Sequence, residues 1–349
     1  MKQLYIVTGA NGHLGNTIVK QLVARGERVR CLVLPQDNLN SLQGVDCQIV
    51  YGDVTAKNSL EPLFRADPDT QINVIHCAAV ISIASGYDKR VYEVNVNGVK
   101  NIADMALEKG VRKFVHVSSV HAIPEGEKGS VIKEINRFDK DAVKGLYAKT
   151  KAEASQYILE KAAQGLNACI VHPSGILGPN DYGRGHLTQM VIDYLDGGLT
   201  ACVKGGYDFV DVRDVAQGVI DAVENGEKGQ CYLLTGHYMA VRDMLNIVSD
   251  ISGKKKIKVM LPMWLAKLTA PLAELWYKMR RQPPLFTRYS LYTLGVNSNF
   301  DNSKARLRLG FNPRPLKDTL KDTVAWLKDH NRLKTFGKKK LRKKVSDKM

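Results

Sequence analysis

A tyrosine and a lysine four positions apart are the residues of this sequence best suited to acid–base chemistry. Tyr147 and Lys151 fall in a stretch of helical character, which places both side chains on one face. A phenol with a pKa near ~10 is a poor base at neutral pH, but a nearby cation favours the phenolate and lowers that pKa. Tyr147 could then take a proton from a hydroxyl or return one to a carbonyl. Taken alone, this spacing is also common on solvated helices.

A serine pair follows an apolar run upstream of the tyrosine. The run ends in Val117-Ser118-Ser119, so that a hydroxyl at the end of a strand can hydrogen-bond the same substrate oxygen as Tyr147. We therefore expect a catalytic set made of a serine, a tyrosine and a lysine.

A glycine-rich turn follows the first apolar run of the chain, with Gly9, Gly12 and Gly15 in the stretch Thr8-Gly9-Ala10-Asn11-Gly12-His13-Leu14-Gly15. The first glycine permits a tight turn, the second lets the backbone approach a pyrophosphate, and the third lets helix and strand pack closely. The helix that follows presents free N–H groups to an anion. The pattern predicts a dinucleotide-binding loop; the alternative is a tight turn without a nucleotide.

Further residues near strand ends suit the rest of a dinucleotide. Asp53, in Gly52-Asp53-Val54, can accept a hydrogen bond from an adenine amino group, although a helix N-cap explains it equally well. The small residues of His76-Cys77-Ala78-Ala79-Val80 let a dinucleotide lie close to the backbone. The second strand ends at Leu34, and no cation occurs from 31 to 56, which favours NAD(H) and leaves NADP(H) possible. Asp37 could reach the ribose.

The elements that must position these residues alternate along the first 235 positions. Apolar runs that alternate with helical stretches predict an α/β fold, a Rossmann-type doubly wound parallel sheet that binds ligands at the carboxyl ends of its strands. The predicted strands are 4–8, 29–34, 48–51, 73–77, 113–118 and 167–172, and the predicted helices lie near 14–25, 58–66, 88–109, 146–163 and 186–196. We expect a dinucleotide-binding domain at 1–172, completed by sheet segments near 205–235. A smaller substrate-binding lobe at 173–336 and a disordered basic tail at 337–349 would follow.

The net charge of +16 on 349 residues is concentrated in two places. Residues 251–291 and residues 331–349 each carry nine cations and one acid, so the rest of the chain has no net charge. This distribution argues against a nucleic-acid-binding body. Six scattered cysteines without a C-x-x-C pair predict reduced thiols and no metal site. Since neither a secretory signal nor a membrane span is predicted, we expect a cytoplasmic protein.

The first basic segment is also apolar. Leu265, Leu268, Leu272, Leu275 and Met279 form one stripe along a predicted helix. The favoured interpretation is a lid helix of the substrate lobe that packs its stripe inward. The alternative is an interfacial helix whose cations, with the basic tail, contact an anionic membrane.

The sequence resembles the extended short-chain dehydrogenase/reductase superfamily from about residue 3 to 330. Within it, residues 79–98 look most like the 3β-hydroxysteroid dehydrogenase and dihydroflavonol reductase branch. Two departures are His172, where relatives often have arginine, and Leu34, where NADP-using reductases commonly have arginine. The motifs that carry the resemblance are Thr8-Gly9-x-x-Gly12-x-x-Gly15, Gly52-Asp53-Val54, His76-x-Ala78-Ala79, Asn95-Val96-Asn97-Gly98, Val117-Ser118-Ser119, Tyr147-x-x-x-Lys151, His172-Pro173, Asp211-Val212-Arg213-Asp214-Val215-Ala216 and Leu309-Gly310-Phe311-Asn312-Pro313.

The resemblance implies roles for individual residues. Tyr147 would be the acid/base, Lys151 would bind the nicotinamide ribose while tuning the tyrosine, and Ser119 would orient the substrate oxygen. Asn95 would lie beneath the active site, where a purely structural role is about as plausible. The expected cofactor-binding residues are Gly9, Asn11, Gly12, His13, Leu14, Gly15, Asp53, Val54, Ala78, Ala79, Val80, Asn95, Tyr147, Lys151, His172, Pro173 and Gly175.

Other polar residues are better explained by the fold than by catalysis. His76 and His172 are expected to be strand-end histidines with satisfied hydrogen bonds, and Asp211 and Asp214 to form a turn and a helix cap.

We therefore expect an NAD(P)-dependent oxidoreductase, acting as a homodimer, that transfers hydride between nicotinamide and a secondary alcohol or ketone of an apolar small-molecule substrate. A nucleotide-sugar epimerase or dehydratase is the alternative enzyme, for which Arg280, Arg281 and Arg288 could bind a diphosphate. A non-catalytic dinucleotide sensor is the alternative of another class.

Overall fold

Seven parallel strands form the central sheet of the protein. The computed structural model describes residues 2–83, 86–268 and 287–334. The strands of the sheet follow the order β10-β6-β5-β4-β1-β2-β3, so the order reverses at β1, between β4 and β2. A doubly wound parallel sheet is thus confirmed, and such a reversal is where these folds bind ligands. The strands are β1 (Lys2–Thr8), β2 (Arg28–Val33), β3 (Gln48–Tyr51), β4 (Thr70–His76), β5 (Lys113–Val117), β6 (Ala168–Pro173) and β10 (Cys231–Leu234).

Helices cover both faces of this sheet because successive strand residues point to opposite sides. In β1, Leu4 and Ile6 join a core with Phe114 of β5, whereas Tyr5 and Val7 join a separate core on the other face. Each predicted helix is present within two residues of its expected ends, the first as α1 (His13–Ala24) and the second as a 3-10 helix (Lys57–Phe64). The others are α2 (Lys89–Tyr92), which continues through a π-helical turn (Glu93–Asn97) into α3 (Gly98–Glu108), then α4 (Leu146–Ala163) and α5 (His186–Leu195). A further helix, α6, spans Val212–Asn225.

A third core belongs to the C-terminal half of the chain. It lies among α5, α7 (Val241–Ser252) and α10 (Leu316–Asp329). Two small sheets accompany it, with the strand orders β11-β9-β7 and β12-β8. The structure also describes β7 (Gly175–Leu177), β8 (Ala201–Val203), β9 (Gly206–Asp211), β11 (His237–Ala240), β12 (Val259–Leu261), α8 (Arg288–Thr293) and α9 (Ser303–Leu309).

The predicted cap before α6 is confirmed, since the carboxylate of Asp211 accepts a hydrogen bond from the backbone N–H of Arg213 at 2.8 Å. Most of the predicted apolar helix, from Leu272 to Arg281, lies outside the described residues, as does the basic tail at 337–349. None of the helices that the structure describes is both long and apolar enough to cross a membrane.

Candidate active site

The glycine-rich turn between β1 and α1 forms a concave backbone surface, which side chains at the glycine positions would block. Gly9 has a left-handed φ of +63°, and its carbonyl oxygen accepts a hydrogen bond from the N–H of Gly12 at 3.0 Å. A Cβ at Gly15 would stand only 2.1 Å from that carbonyl oxygen. No side chain caps the first turn of α1, and no acid lies in it. The open N–H groups and the absent side chains fit a pyrophosphate.

The phosphate loop is fastened to the C-terminal half of the chain through His13. Its Nε2 atom lies 3.0 Å from the carbonyl oxygen of Pro179, and its Nδ1 atom lies 4.0 Å from the buried carboxylate of Asp181. Burial lowers the pKa of His13, which keeps the imidazole neutral beside the loop. Leu14 contributes a mostly buried side chain, and the carbonyl oxygen of Asn11 accepts a hydrogen bond from Ser41.

A second polar cluster holds the carboxyl end of β4 against the loop. The Oγ1 atom of Thr8 lies 2.8 Å from Nδ1 of His76 and accepts a hydrogen bond from the N–H of Ala78 at 3.2 Å. Asn95, in the π-helical turn, accepts from the N–H of Val80 at 2.8 Å and donates to Oγ1 of Thr150 at 3.1 Å. Asn95 therefore connects the segment after β4 to α4, as expected for a residue with a structural role.

The three predicted catalytic residues meet where β5 ends beside α4. Ser119 follows β5, and its hydroxyl is close enough to the Tyr147 hydroxyl to favour the phenolate. The Lys151 ammonium donates a hydrogen bond to the carbonyl oxygen of Val117 at 2.9 Å. All three side chains line one cavity.

Burial controls the proton affinity of this set. It raises the pKa of Tyr147 to about 12, with the Ser119 hydrogen bond acting weakly in the opposite direction. It lowers the pKa of Lys151 to about 8. The expectation that the lysine holds the Tyr147 pKa below its ordinary value is therefore wrong, because desolvation of the phenolate outweighs any help from a cation. The tyrosine is protonated at neutral pH.

His172 lies behind Ser119, outside the cavity lining, and contacts its main chain. Its Nδ1 atom lies 2.9 Å from the carbonyl oxygen of Ser119, as expected for a strand-end histidine. The expectation that the hydrogen bonds of His172 and His76 are satisfied is only half met, because the Nε2 atom of each is buried without a partner among the described residues. The next residues, Pro173 and Gly175, line the cavity, but His172 does not.

The cavity gathers most of the expected cofactor residues but not all. Its volume is about 830 Å³. Seven expected residues are not among its lining, namely Asn11, Asp53, Val54, Ala78, Val80, Asn95 and His172. The carboxylate of Asp53 accepts from the N–H and the hydroxyl of Thr55, both at 2.8 Å, so it caps its own turn and not the 3-10 helix that begins at Lys57.

Beyond the loop and the catalytic set, the wall of the cavity is largely apolar and aromatic. Its lysine and arginine residues, among those the structure describes, are Lys144, Lys151 and Arg184. Sequence reasoning missed much of this wall, because its residues come from irregular segments and from the C-terminal half. The main apolar and aromatic members are Ile81, Ile83, Val120, His121, Ile123, Ile132, Val143, Ile176, Leu187, Tyr207, Tyr289, Tyr292, Val296 and Phe300.

Asp208 is a further residue of this wall that the sequence did not reveal. Its carboxylate accepts hydrogen bonds from the Ser174 hydroxyl and from the N–H of Gly236. Burial nevertheless raises its pKa to about 6. Asp208 thus joins β9 to the segments before β7 and β11 at the edge of the cavity.

The chain is similar to a known protein family over most of its length. The model of the NAD-dependent epimerase/dehydratase family matches residues 5–235. Sterol demethylase protein B of Methylococcus capsulatus is 30% identical over 330 residues, which cover 93% of this chain and 98% of that protein. A putative dihydroflavonol 4-reductase of Synechocystis is 29% identical, with 96% and 97% covered.

Solved structures agree on the fold. The crystal structure of gox2253 superposes with a TM-score of 0.82 at 31% identity, covering 95% of this chain and 99% of that one. A dTDP-glucose 4,6-dehydratase of Streptomyces venezuelae, solved with NAD and TYD bound, has a TM-score of 0.76 at 20% identity, with 95% and 99% covered.

Proposed function

The chain belongs to the NAD-dependent epimerase/dehydratase family of extended short-chain dehydrogenases/reductases and is an NAD(P)-dependent oxidoreductase, and we propose that its substrate is an apolar secondary alcohol or ketone. The observation that carries this proposal is the wall around Tyr147, which is built mainly from aliphatic and aromatic side chains. Such a wall favours a steroid-, flavonoid- or ketone-like molecule. Relatives named for sterols and flavonoids support the same substrate class.

The residues of the site can perform the proton half of the reaction. The dinucleotide, when bound, supplies or accepts the hydride. Tyr147, protonated at neutral pH, donates its proton to the carbonyl oxygen as that oxygen gains negative charge, and it takes the proton back in the oxidation direction. Ser119 orients the same oxygen. Lys151 uses one N–H for Val117 and keeps two donors for the ribose hydroxyls.

We also propose that the glycine loop and the ends of β3 and β4 hold the cofactor. Gly9, Gly12, Gly15 and Ala79 lie on the cavity, which supports this assignment. The domain division follows from it, with residues 1–172 and strand β10 binding the dinucleotide and residues 173–336 binding the substrate.

NAD(H) is the proposed cofactor because the sequence places an acidic residue, and no cation, at the end of β2. The carboxylate of Asp37 accepts a hydrogen bond from the N–H of Leu34 at 3.1 Å, which holds a negative charge beside the strand end. A 2′-phosphate would be repelled there, and Leu34 offers no cation to bind it.

A nucleotide-sugar epimerase or dehydratase is the second candidate, favoured by the name of the matching family model and by fold neighbours such as the dehydratase above. A sugar nucleotide needs cations for its diphosphate. Arg280 and Arg281 lie outside the described residues, and Arg288 is not among the residues that line the cavity, whereas Lys144 and Arg184 do line it. The apolar wall therefore favours the first candidate.

The lid predicted for residues 257–291 lies in large part outside the described residues, and we further propose that the cations around its described start bring the protein to an anionic membrane surface. Trp264 and Leu268 are each 68% exposed, and four lysines lie within 254–258. Co-sedimentation with phosphatidylserine vesicles, with and without residues 337–349, tests this at low and high salt. Equal recovery with neutral vesicles would contradict it. We also propose a cytoplasmic homodimer, for which light scattering after size-exclusion chromatography gives the mass.

Turnover of NADH with a panel of bulky apolar ketones tests the proposed function. Wild-type protein should oxidise NADH in step with ketone loss, and Tyr147→Phe should be slower by roughly a hundredfold or more. Wild-type activity no greater than that of the variant would contradict the proposal and favour a sensor. Turnover confined to nucleotide sugars, with NAD retained on the protein, would favour the epimerase.

A further inference from the structure

Two polar side chains on the apolar wall have no hydrogen-bond partner within the part of the chain that the structure describes. They are the imidazole of His121 and the hydroxyl of Tyr289, and both side chains line the cavity. The neighbouring Tyr292 differs, because its hydroxyl donates to the carboxylate of Glu125. Both residues are half-buried and neither is among the fully buried unpaired groups, so their polar atoms face the open cavity, where they are available to a ligand.

Both side chains stand beside the catalytic tyrosine. His121 follows Ser119 by two residues, and its backbone N–H donates to the Ser119 Oγ atom at 3.2 Å. The His121 ring centroid is 6.3 Å from that of Tyr147, in an edge-on arrangement, and 6.3 Å from that of Tyr289. Three rings therefore surround one small part of the cavity.

Tyr289 is held in this position by close packing against the start of α4. Gly145, which precedes α4, has a φ of +92°, and a Cβ there would stand 2.3 Å from the Tyr289 ring. The absence of a side chain at Gly145 thus lets a tyrosine of α8, far away in sequence, lie against the backbone just before Tyr147.

Neither group carries a charge at neutral pH. Burial lowers the pKa of His121 to about 4, and it raises the pKa of Tyr289. A neutral imidazole offers one donor and one acceptor, and a phenol offers both functions on one atom. This pair suits a neutral carbonyl or hydroxyl and gives a carboxylate or an ammonium group no opposite charge.

We propose that His121 and Tyr289 form a second oxygen-binding site beside the reacting carbon. The preferred substrate would then carry a neutral hydroxyl or carbonyl on the carbon next to the one that exchanges hydride, or one carbon further. This inference rests on the proposed oxidoreductase function and specifies its substrate. His121 and Tyr289 are positioning residues that orient the substrate, while Tyr147 moves the proton.

Discrimination between two nearly isosteric ketones provides the test. The pair is a decalone with a hydroxyl on the carbon next to the carbonyl and the same decalone with a methyl there. A site built to hydrogen-bond an oxygen rejects the analogue that lacks it, so wild-type kcat/KM should favour the hydroxyketone by roughly tenfold or more. His121→Phe and Tyr289→Phe should each remove most of that preference, because kcat/KM should fall much further for the hydroxyketone than for the methylketone.

Tyr292→Phe is the matched control, since it removes a tyrosine hydroxyl on the same helix whose partner is Glu125. It should keep the preference, and thermal melts should show that all variants fold. Loss of both substrates alike in His121→Phe and Tyr289→Phe would overturn the proposal, because rings that only fill volume cannot distinguish hydroxyl from methyl. Wild-type turnover of both ketones without preference would overturn this inference alone. Turnover of neither would also count against the proposed function.

Discussion

Lys151 donates a hydrogen bond to the main-chain carbonyl oxygen of Val117, with 2.9 Å between Nζ and the oxygen. This bond joins α4 to Val117 at the end of β5, two residues before Ser119. Because Tyr147 lies one helical turn before Lys151 on α4, the bond also holds Ser119 in place opposite Tyr147. Because the ammonium is buried, its pKa falls to about 8. Lys151 therefore stabilises the arrangement of the site and also changes its charge at mildly alkaline pH.

The rate of ketone reduction should fall as pH rises through about 8. Below that value Lys151 is charged and Tyr147 keeps its proton, since the phenol has a pKa of about 12. Above it the lysine loses the charge that binds the ribose, and kcat/KM, which reports on the free enzyme, should decline. Lys149→Met, which removes an exposed lysine paired with Asp141, should leave the profile unchanged. A rate that rises steadily from neutral to alkaline pH would contradict this assignment.

Gly15→Ala should weaken NADH binding by at least about tenfold and lower stability by about 1–3 kcal/mol. The reason is the 2.1 Å separation between the added Cβ and the carbonyl oxygen of Gly9. Gly198→Ala is the control, because its Cβ would stand 3.5 Å from the nearest carbonyl oxygen, that of Asp193, which is an ordinary contact. Fluorescence titration with NADH measures the affinity and thermal denaturation the stability. Unchanged NADH affinity in Gly15→Ala would show that the loop holds no pyrophosphate.

Leu34→Arg should shift the cofactor preference towards NADPH. The wild-type strand end presents the Asp37 carboxylate near Leu34, and an arginine there would add a cation for the 2′-phosphate. We expect the ratio of NADPH to NADH affinity to rise by about tenfold or more. Asp37→Asn should move the ratio the same way but less, by removing repulsion only. A wild-type protein that already prefers NADPH would contradict the NAD assignment.

Asp208→Asn should make the protein less sensitive to pH between about 4 and 6. The folded-state pKa of Asp208, about 6, lies above that of an unfolded aspartate. As pH rises through this window the unfolded chain releases its proton first, so wild-type folding loses up to about 3 kcal/mol of stability. Asparagine keeps an oxygen for Ser174 and Gly236 and does not ionise. Urea denaturation of both proteins at acidic and neutral pH measures the difference, and parallel pH curves would contradict the buried carboxylate.

Local sequence patterns predicted most of the scaffold. The apolar runs predicted six of the seven sheet strands, and the spacing of Tyr147 and Lys151 on a helix placed the catalytic pair. These features depend on neighbours in sequence. The direction of the Tyr147 pKa was predicted wrongly, because burial arises from the whole assembled cavity and no short motif encodes it.

The wall of the cavity depends on packing between distant segments. His121 lies in a single 3-10 turn, which has no periodic sequence pattern. Tyr289 packs against Gly145, and nothing in the sequence around this left-handed glycine indicates that a distant tyrosine lies against it. The sequence predicted the residues that we propose perform the chemistry, but it did not predict the side chains that we propose select the substrate.

Transfer of deuterium from NADH that carries deuterium at both hydrogen positions of nicotinamide C4 to a bulky apolar ketone tests the central claim most directly. In a single turnover, wild-type protein should place one deuterium on the carbinol carbon of the product alcohol, as mass spectrometry detects, and Tyr147→Phe should form this product slower by roughly a hundredfold or more. Product alcohol without deuterium, or equal rates from the two proteins, would contradict direct hydride transfer with Tyr147 as the proton donor.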